Sequence, residues 1–377
     1  MSGIGYSKVL LIAIFVFVIA IEGVVQAAIE LSQGKTPTVM ELVNRVPTAD
    51  NLRSFESRME TQSWSARWLR PMTQQLRFEL GNDLGAKAVR GQEDWLYYRQ
   101  DIDFLVQPWQ MSASGDETAL TTIAAFRDAL AARSIHLLVV IAPGKPSIYP
   151  EYLSRRSIDE GDDVFRHASD FMQSLDELQI DHVDLFRAWG GKDKGSAPFD
   201  LYLARDTHWS PVGAREAARL VAERIFSEGW IDEGNIVFEE RRASVQREGD
   251  ILDMIDVPGI AAKFSPEQME CAQVFESSSQ QPYIDDPDSQ VLVLGDSFLR
   301  IYQRDEPGSA GFIAHLAREL KQPLTSIVSD GGASTLVRQE LARKPDLLKH
   351  KRLVVWEFVE RDLRFGMEGW KHVALPE

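Results

Sequence analysis

Val291-Leu292-Val293-Leu294-Gly295-Asp296-Ser297-Phe298 is an apolar segment that runs directly into a short polar turn. The four apolar residues predict a strand buried on both faces, as in a parallel sheet. Gly295 permits a tight turn with close backbone approach. This turn would expose the hydroxyl of Ser297 beside backbone N–H groups that can hold a developing oxyanion. A structural alternative stays open, in which Asp296 and Ser297 only cap the following segment.

Apolar runs of the same kind recur along the chain and alternate with stretches of helical spacing. Strands separated by helices predict an α/β fold, with a parallel sheet of about five strands and helices on both faces. Residues 231–290 do not follow the alternation, and we expect an acidic, loop-like insertion there. The other expected strands are 135–142, 182–186, 324–328 and 352–359, and the expected helices are 117–133, 162–178, 211–226, 311–320 and 335–343.

A second polar stretch, Asp206-Thr207-His208-Trp209-Ser210, comes just before the helix expected from Pro211. Functional groups of parallel sheets collect at the carboxyl ends of the strands. A serine becomes a good nucleophile when a histidine, oriented by a carboxylate, takes its proton. Asp206 and His208 supply both groups. Two alternatives remain, a metal site and a purely structural loop. The metal is disfavoured because no further His or acidic cluster accompanies the pair.

A third loop, residues 329–335, follows the strand expected at 324–328. Gly331 and Gly332 would let backbone approach a bound acyl group, and Arg338 is placed to face the same pocket. With Gly295 and Asp296, these residues are the candidates for substrate or oxyanion binding. The alternative is an ordinary glycine-rich turn between a strand and a helix.

The first thirty residues predict export. Val9–Ile21 is an unbroken run of thirteen apolar residues after Lys8, and Glu22 ends it. One reading is a signal peptide cleaved near residues 25–27. The other is an uncleaved anchor that spans the membrane from Val9 to Ile29, with Lys8 at the cytoplasmic edge. We favour the anchor, and either reading exports everything after residue 30.

Composition excludes several classes of protein. The chain has 377 residues, and 41 Lys plus Arg against 57 Asp plus Glu give a net charge of −16. With no basic run in the sequence, a nucleic-acid partner is excluded. Cys271 is the single cysteine, so no disulfide within the chain and no zinc pattern exists.

The length suggests one large α/β domain or two smaller ones. Along the chain we expect residues 1–30 for export, an N-terminal segment over 31–110, and a main catalytic domain over 111–377 that contains the insertion. The 31–110 segment holds four tryptophans, and we expect it to pack on the main domain. An aromatic surface that stacks on carbohydrate is the alternative. The four are Trp64, Trp68, Trp95 and Trp109.

Gly295-Asp296-Ser297 with a separate Asp206-x-His208 resembles the SGNH hydrolase-like acyl-ester enzymes, and more narrowly the AlgJ/AlgX family of alginate O-acetyltransferases. Ordinary SGNH hydrolases place Ser first, whereas here Asp-x-His precedes Ser by about ninety residues, as in the AlgJ/AlgX family. The likeness covers roughly residues 85–360. Because the chain ends soon after residue 359, we expect an AlgJ-like rather than an AlgX-like member. Further matches are Trp95-Leu96-Tyr97, Ala142-Pro143-Gly144-Lys145-Pro146, Tyr149-Pro150-Glu151 and the string from Asp206 to Gly213.

The resemblance implies Ser297 as nucleophile, His208 as general base and Asp206 as the residue that orients it, with no metal and no cofactor. It also implies an O-acetyltransferase that moves acetyl groups onto hydroxyls of an exopolysaccharide such as alginate. The implied donor is a membrane-bound O-acyltransferase within an exopolysaccharide assembly complex. The implied location is the periplasm, tethered to the inner membrane. Two alternatives are a carbohydrate acetyl esterase with the same triad and a catalytically silent polysaccharide-binding or scaffold protein.

Overall fold

The computed structural model of the chain describes residues 3–44, 46, 48–108, 117–154, 166–190, 201–366 and 369–376. It divides into two compact units, Met1–Asp83 and Leu84–Glu377. The division falls earlier than residue 110, so the strands and the helix that precede that residue belong to the larger unit.

The smaller unit is helical. Its first helix contains the expected apolar N-terminal segment, and Lys8–Ser32 is long and apolar enough to cross a membrane. A signal sequence satisfies the same criterion, so length and composition alone do not separate the two readings. The helices are α1 (Gly3–Ser32), α2 (Glu41–Asn44), α3 (Ala49–Gln62) and α4 (Trp64–Gly81), with a 3₁₀ turn at Thr38–Met40.

The larger unit is built on the expected five-stranded parallel sheet, in the strand order β4-β3-β9-β7-β8. All four strand pairings in this sheet are parallel, which confirms the α/β fold class. The strands of the unit are β1 (Ala88–Arg90), β2 (Leu96–Tyr98), β3 (His136–Ala142), β4 (His182–Val183), β5 (Phe238–Arg247), β6 (Glu267–Glu276), β7 (Val291–Gly295), β8 (Thr325–Val328) and β9 (Leu353–Val359).

Helices cover both faces of this sheet. One helix illustrates how the sequence sets its bounds: α11 begins at Pro211 after the N-cap Ser210, and ends at Gly229 in the left-handed conformation. The helices are α5 (Arg99–Val106), α6 (Ala119–Ala131), α7 (Lys145–Ile148), α8 (Pro150–Leu153), α9 (Arg166–Glu177), α10 (Leu185–Gly190), α11 (Pro211–Glu228), α12 (Asp250–Ile255), α13 (Pro258–Ala261), α14 (Ser297–Arg300), α15 (Phe312–Leu320), α16 (Leu336–Arg343) and α17 (Asp362–Phe365), with a 3₁₀ turn at Pro345–Leu348.

Alternate residues of the central strands belong to two separate apolar cores. Val291 and Val293 of β7 pack with α11 and α15 on one face. Leu292 and Leu294 pack with α6, α9 and α16 on the other face. This is why the central strands read as continuous apolar runs rather than as an alternating pattern. Because these strands are parallel, the carboxyl ends of β3, β7 and β9 lie at the same edge of the sheet. The loops that carry polar residues follow these ends.

Two expectations about local structure are wrong. Residues 231–290 are not loop-like, because β5 and β6 pair antiparallel along their whole length. Most side chains of this ribbon remain partly exposed, so it lacks the apolar periodicity that marks a strand. The strand expected at 182–186 ends at Val183, and Leu185 already begins α10. Leu185 and Phe186 are both buried, but they lie in this helix and not in a strand.

Candidate active site

Ser297 lies at the turn between β7 and α14. The carboxylate of Asp296 accepts the backbone N–H of Phe298 at 2.8 Å, so it caps this short helix. A Cβ atom at Gly295 would collide with the Glu357 carboxylate and with Leu299, so only glycine fits there. The Ser297 side chain stays partly exposed in this otherwise buried turn. This leaves the hydroxyl accessible at the carboxyl end of the sheet.

The imidazole of His208 joins the other two predicted residues. Its Nε2 lies 2.8 Å from Ser297 Oγ, and its Nδ1 lies 2.6 Å from Asp206 Oδ1. An ionised carboxylate only accepts hydrogen bonds, so Nδ1 carries the proton and Nε2 is left to accept from the serine hydroxyl. Asp206 is fully buried and His208 is 4% exposed. The three side chains therefore form one continuous hydrogen-bonded chain.

Trp209 fixes the distance between the two loops that carry these groups. Its indole N–H donates to the carbonyl of Phe298 at 3.0 Å, and its ring meets the Phe298 ring edge-on. Trp209 is fully buried. The next residue, Ser210, is the N-cap of α11 and accepts the backbone N–H of Gly213, which fixes the start of that helix. The residues next to His208 and Ser297 are thus bound to each other in the core.

Burial and charge act in opposite directions on the His208–Asp206 pair. Burial alone would lower the pKa of His208, but the adjacent negative charge and hydrogen bond of Asp206 raise that pKa above its ordinary value. Burial would raise the pKa of Asp206, but His208 and Arg247 hold it well below its ordinary range. Arg247 contributes because its guanidinium lies 3.4 Å from Asp206 Oδ2. Asp206 is therefore an anion at neutral pH, and it stabilises a proton on His208.

Asp250 is a fourth residue of the site that no sequence pattern indicated. Thr207 donates to it from its backbone N–H, at 2.6 Å, and from its hydroxyl. The Asp250 backbone N–H donates to Asp206, and one Asp250 carboxylate oxygen lies 3.4 Å from His208 Nδ1. Burial and the charge of Asp206 raise the pKa of Asp250 to about 6. Because Asp250 begins α12 within the polar stretch after β5, no apolar spacing marks it.

Asp206, His208 and Asp250 also lie close enough to one another to be compared with a metal site. Their possible ligand atoms are within 4.8 Å of each other, so an acidic neighbour does accompany the Asp-x-His pair. All three, however, already bond within the protein, and Arg247 places a positive charge against Asp206. A second cation at this point would meet that charge. The surroundings therefore favour a hydrogen-bonded histidine over a metal centre.

Lys145 holds the loop that leads to Asp206. Its ammonium donates to the carbonyls of Leu203 at 3.0 Å, Ala204 at 3.0 Å and Asp206 at 2.7 Å. The side chain is fully buried, and burial lowers its pKa to about 8 although nearby carboxylates oppose the shift. Since three backbone carbonyls depend on one buried group, Lys145 determines the path of the chain into the site.

The third predicted loop lies beside the strand end, but its donors are used elsewhere. The Ser329 N–H donates to the carbonyl of Gly295 at 3.0 Å, and the Gly332 N–H donates back to Ser329. Gly331 adopts the left-handed conformation, with φ of 63°. The Asp296 N–H donates to Glu357 at 3.2 Å. These groups shape the turn, and the N–H groups of Asp296 and Gly332 are already occupied.

The expectation that Arg338 faces the pocket is wrong. Its guanidinium is buried, donates to the carbonyls of Ser334 and Lys371, and lies 5.1 Å from the ring centre of Trp356. Trp356 belongs to the apolar core on the face opposite to Trp209. Arg338 therefore ties the C-terminal segment to that face of the sheet.

The aromatic residues near the start of the larger unit pack on each other. Trp95 stacks on Tyr152 with ring centres 4.5 Å apart, and also contacts Tyr149 at 4.9 Å. This supports the packing interpretation for Trp95 over a carbohydrate-stacking surface. Trp109 lies outside the described residues, and Trp64 and Trp68 belong to α4 of the smaller unit.

Comparison with known proteins agrees with this geometry. The family model described as an SGNH hydrolase-like domain, acetyltransferase AlgX, matches residues 88–360. The chain belongs to this family. The match includes β1, all five strands of the parallel sheet, and the loops that carry Asp206, His208 and Ser297.

Similar proteins carry related names. A protein of Azotobacter vinelandii named probable alginate O-acetylase AlgJ is 26% identical over 285 residues, covering 73% of this chain and 69% of that protein. A protein of the same name from Pseudomonas putida is 23% identical over 314 residues, covering 81% of this chain and 75% of the relative.

Two solved structures share the fold. One is the O-acetyltransferase domain of Pseudomonas putida AlgJ, with a TM-score of 0.57 and 21% identity, covering 73% of this chain and 91% of that one. The other is Pseudomonas aeruginosa AlgX, with a TM-score of 0.54 and 20% identity, covering 72% of this chain and 62% of that one.

Replacing Asp250 with Asn should move the acid side of the rate–pH profile to lower pH. If His208 is the general base, its imidazole acts when it is neutral, and the rate falls as the pH drops through the pKa of His208. The charge of Asp250 contributes to the raised pKa of His208, so removing it lowers that pKa. The measurement is kcat/KM for an acetyl ester between pH 5 and 9, because this profile reports the pKa of the base in the free enzyme. Asp253→Asn on the exposed side of α12 is the control and should leave the profile unchanged. A profile that stays in place or moves upward in Asp250→Asn contradicts the electrostatic role.

Replacing Lys145 with Met should slow the reaction and destabilise the fold. Each carbonyl left unsatisfied costs about 1–3 kcal/mol, and removing a buried charge offsets part of this. We expect the free energy of unfolding to fall by roughly 1–3 kcal/mol and kcat by about tenfold or more. Urea unfolding and ester turnover measure the two effects. Lys344→Met, at the exposed lysine that follows α16, should change neither. Unchanged turnover in Lys145→Met would show that the loop holds its path without this side chain.

Proposed function

We propose that the chain is an O-acetyltransferase that passes acetyl groups through Ser297 to hydroxyls of an exopolysaccharide. The observation that carries this proposal is the 2.8 Å contact between His208 Nε2 and Ser297 Oγ, with Asp206 bonded to the other ring nitrogen. Membership of a family described by its acetyltransferase activity supports the same reaction. Burying charged groups such as Asp206 costs free energy, and a catalytically silent protein would have no need for this arrangement of Asp206 and His208.

The proposed reaction has two halves. In the first, His208 Nε2 takes the proton of Ser297 as its oxygen attacks the acetyl carbonyl, and then returns the proton to the leaving group. In the second, His208 takes the proton of a sugar hydroxyl as that oxygen attacks the acyl-enzyme. The bond between the acetyl group and Ser297 Oγ then breaks, and His208 returns the proton to Ser297. Asp206 stabilises the imidazolium in both halves. The raised pKa of His208 suits a group that must hold this proton transiently.

The backbone N–H of Ser297 is the proposed donor to the oxyanion. Within the described residues, it donates to no acceptor, whereas the N–H groups of Asp296 and Phe298 on either side are bonded to carboxylates. It lies next to the attacking oxygen, where the negative charge of the tetrahedral intermediate develops. Gly331 stays a candidate for a second oxyanion donor, because Ser329 of the same loop donates to the carbonyl of Gly295 at the end of β7.

The relatives are named as probable alginate O-acetylases, so we propose alginate as the acceptor. The setting that we propose is an exopolysaccharide assembly complex. A periplasmic chain would be held at the inner membrane by α1, whose apolar segment fits a signal anchor. A domain outside the cytosol has no access to acetyl-CoA. We therefore infer that a membrane-bound O-acyltransferase delivers the acetyl group to Ser297.

The Ser297→Ala variant should fold normally and lose acetyl transfer by a factor of about 10³ or more, because removal of a triad residue leaves only binding and oxyanion stabilisation. The assay uses a chromogenic acetyl ester with oligosaccharide acceptors, and mass spectrometry detects acetylated sugar. Ser227→Ala, an exposed serine of α11, is the matched control. Activity of Ser297→Ala within a few-fold of the parent would contradict the proposed nucleophile.

The same assay separates the competing functions. Acetylated sugar in the products supports transfer, and free acetate with no acetylated sugar supports the esterase alternative. Activity that disappears with EDTA and returns with a divalent ion would favour a metal at Asp206, His208 and Asp250. We expect acetylated sugar and no effect of EDTA.

A further inference from the structure

Helix α4 of the smaller unit carries an exposed apolar stripe. At about 100° per residue, its five large apolar side chains fall within an arc of roughly 120°. Phe78 is the buried residue of the helix and lies outside this arc. Glu79 also falls inside this arc, near the end of the helix, so the uninterrupted part of the stripe is formed by Trp68, Leu69, Met72 and Leu76. Single exposed apolar residues are ordinary, but such a stripe marks an interaction surface. The side chains are Trp68, Leu69, Met72, Leu76 and Leu80, which are 53% to 81% exposed.

Hydrogen bonds connect the start of α4 to one level of α1. The Trp64 N–H donates to the side chain of Gln26 at 2.9 Å, and the Ser65 hydroxyl donates to Glu22 at 2.8 Å. Glu22 is the first residue after the apolar run that ends at Ile21. If that run lies in a bilayer with Glu22 at its outer boundary, rather than Ile29 as expected from the sequence, α4 begins at the lipid–water boundary.

The stripe is not used to cover the apolar run of α1. Side chains from Val9 to Phe17 are exposed, several of them by more than 60%. If α4 ran back along this segment, both sets of side chains would be buried against each other. The two apolar surfaces of the unit are therefore separate, one for each helix.

The charge of α4 differs from that of the whole chain. The helix contains Arg67, Arg70 and Arg77 against a single acidic residue, Glu79, although the chain has a net charge of −16. Arg70 and Arg77 are exposed on the polar side of the helix, about 80° and 60° beyond the edge of the stripe at Leu80, and Arg77 also pairs with Asp83. Large apolar residues with a tryptophan on one face and arginines next to it are typical of a helix that lies in a lipid interface.

We infer that α4 is a second membrane contact and lies on an anionic bilayer surface. Trp68, Leu69, Met72 and Leu76 enter the boundary between headgroups and acyl chains, and the neighbouring arginines bind lipid phosphates. This inference rests on the proposed membrane attachment by α1, but not on the acetyl-transfer chemistry. Two contacts bind more stably than one, because the second forms at a high local concentration of lipid.

The test uses the full chain in vesicles of phosphatidylcholine and phosphatidylglycerol. Variants with one added cysteine, Met72→Cys, Arg67→Cys and Phe15→Cys, carry an environment-sensitive fluorophore at that position, and spin-labelled lipids quench any label that enters the bilayer. Cys271 is buried, so the parent chain exposed to the same fluorophore gives the background labelling. Arg67 is exposed and lies about 160° around the helix from the middle of the stripe, so it is the matched control.

We expect strong quenching at Phe15 and Met72 and little at Arg67, with the Met72 signal reduced in vesicles of neutral lipid. Quenching at Phe15 without quenching at Met72 overturns the surface contact and leaves the attachment by α1 standing. Quenching at neither position overturns both. Acetyl-ester turnover by the same samples reports separately on the proposed reaction.

Discussion

The buried hydrogen bond from the Trp209 indole to the carbonyl of Phe298 is the contact on which the site depends. It joins two chain segments that lie 89 residues apart in sequence. Each segment is fixed independently, one by the cap of α11 and the other by the end of β7. Because both anchors are in the core, the distance between His208 and Ser297 is a property of the packed fold and not of flexible loops.

The polar groups around His208 form a network that offsets its own burial. Asp206 is surrounded by donors, from His208 on one oxygen and from Asp250 and Arg247 on the other. Lys145 and Thr207 then fix the backbone on either side of Asp206. A buried charge without such partners would take up a proton or destabilise the fold. The same contacts that make burial of Asp206 possible also orient His208 toward the serine.

The sequence predicted the sheet and the two central loops because these features have local causes. Apolar runs identify buried strands, and the Asp-x-His and Gly-Asp-Ser segments stand directly next to predicted helices or strands. Asp250 and Lys145 escaped prediction as functional residues because their importance comes from contacts across 40 to 60 residues of sequence. The prediction for Arg338 was wrong because its position in the sequence shows only that it lies on a helix near the glycine turn. Which side of α16 is buried depends on the packing of the whole domain. The β5–β6 ribbon was missed because its polar, partly exposed strands have no apolar period.

In the proposed reaction, an acetyl group passes through the oxygen of Ser297. The most direct test is peptide mass spectrometry of the chain, acid-quenched during its first turnover with an activated acetyl ester and no sugar acceptor. We expect one acetyl group on the peptide that contains Ser297, and its loss when an oligosaccharide acceptor is added before the quench. Turnover with that peptide unmodified throughout, or acetyl found on a different residue that turns over at the same rate, would contradict it.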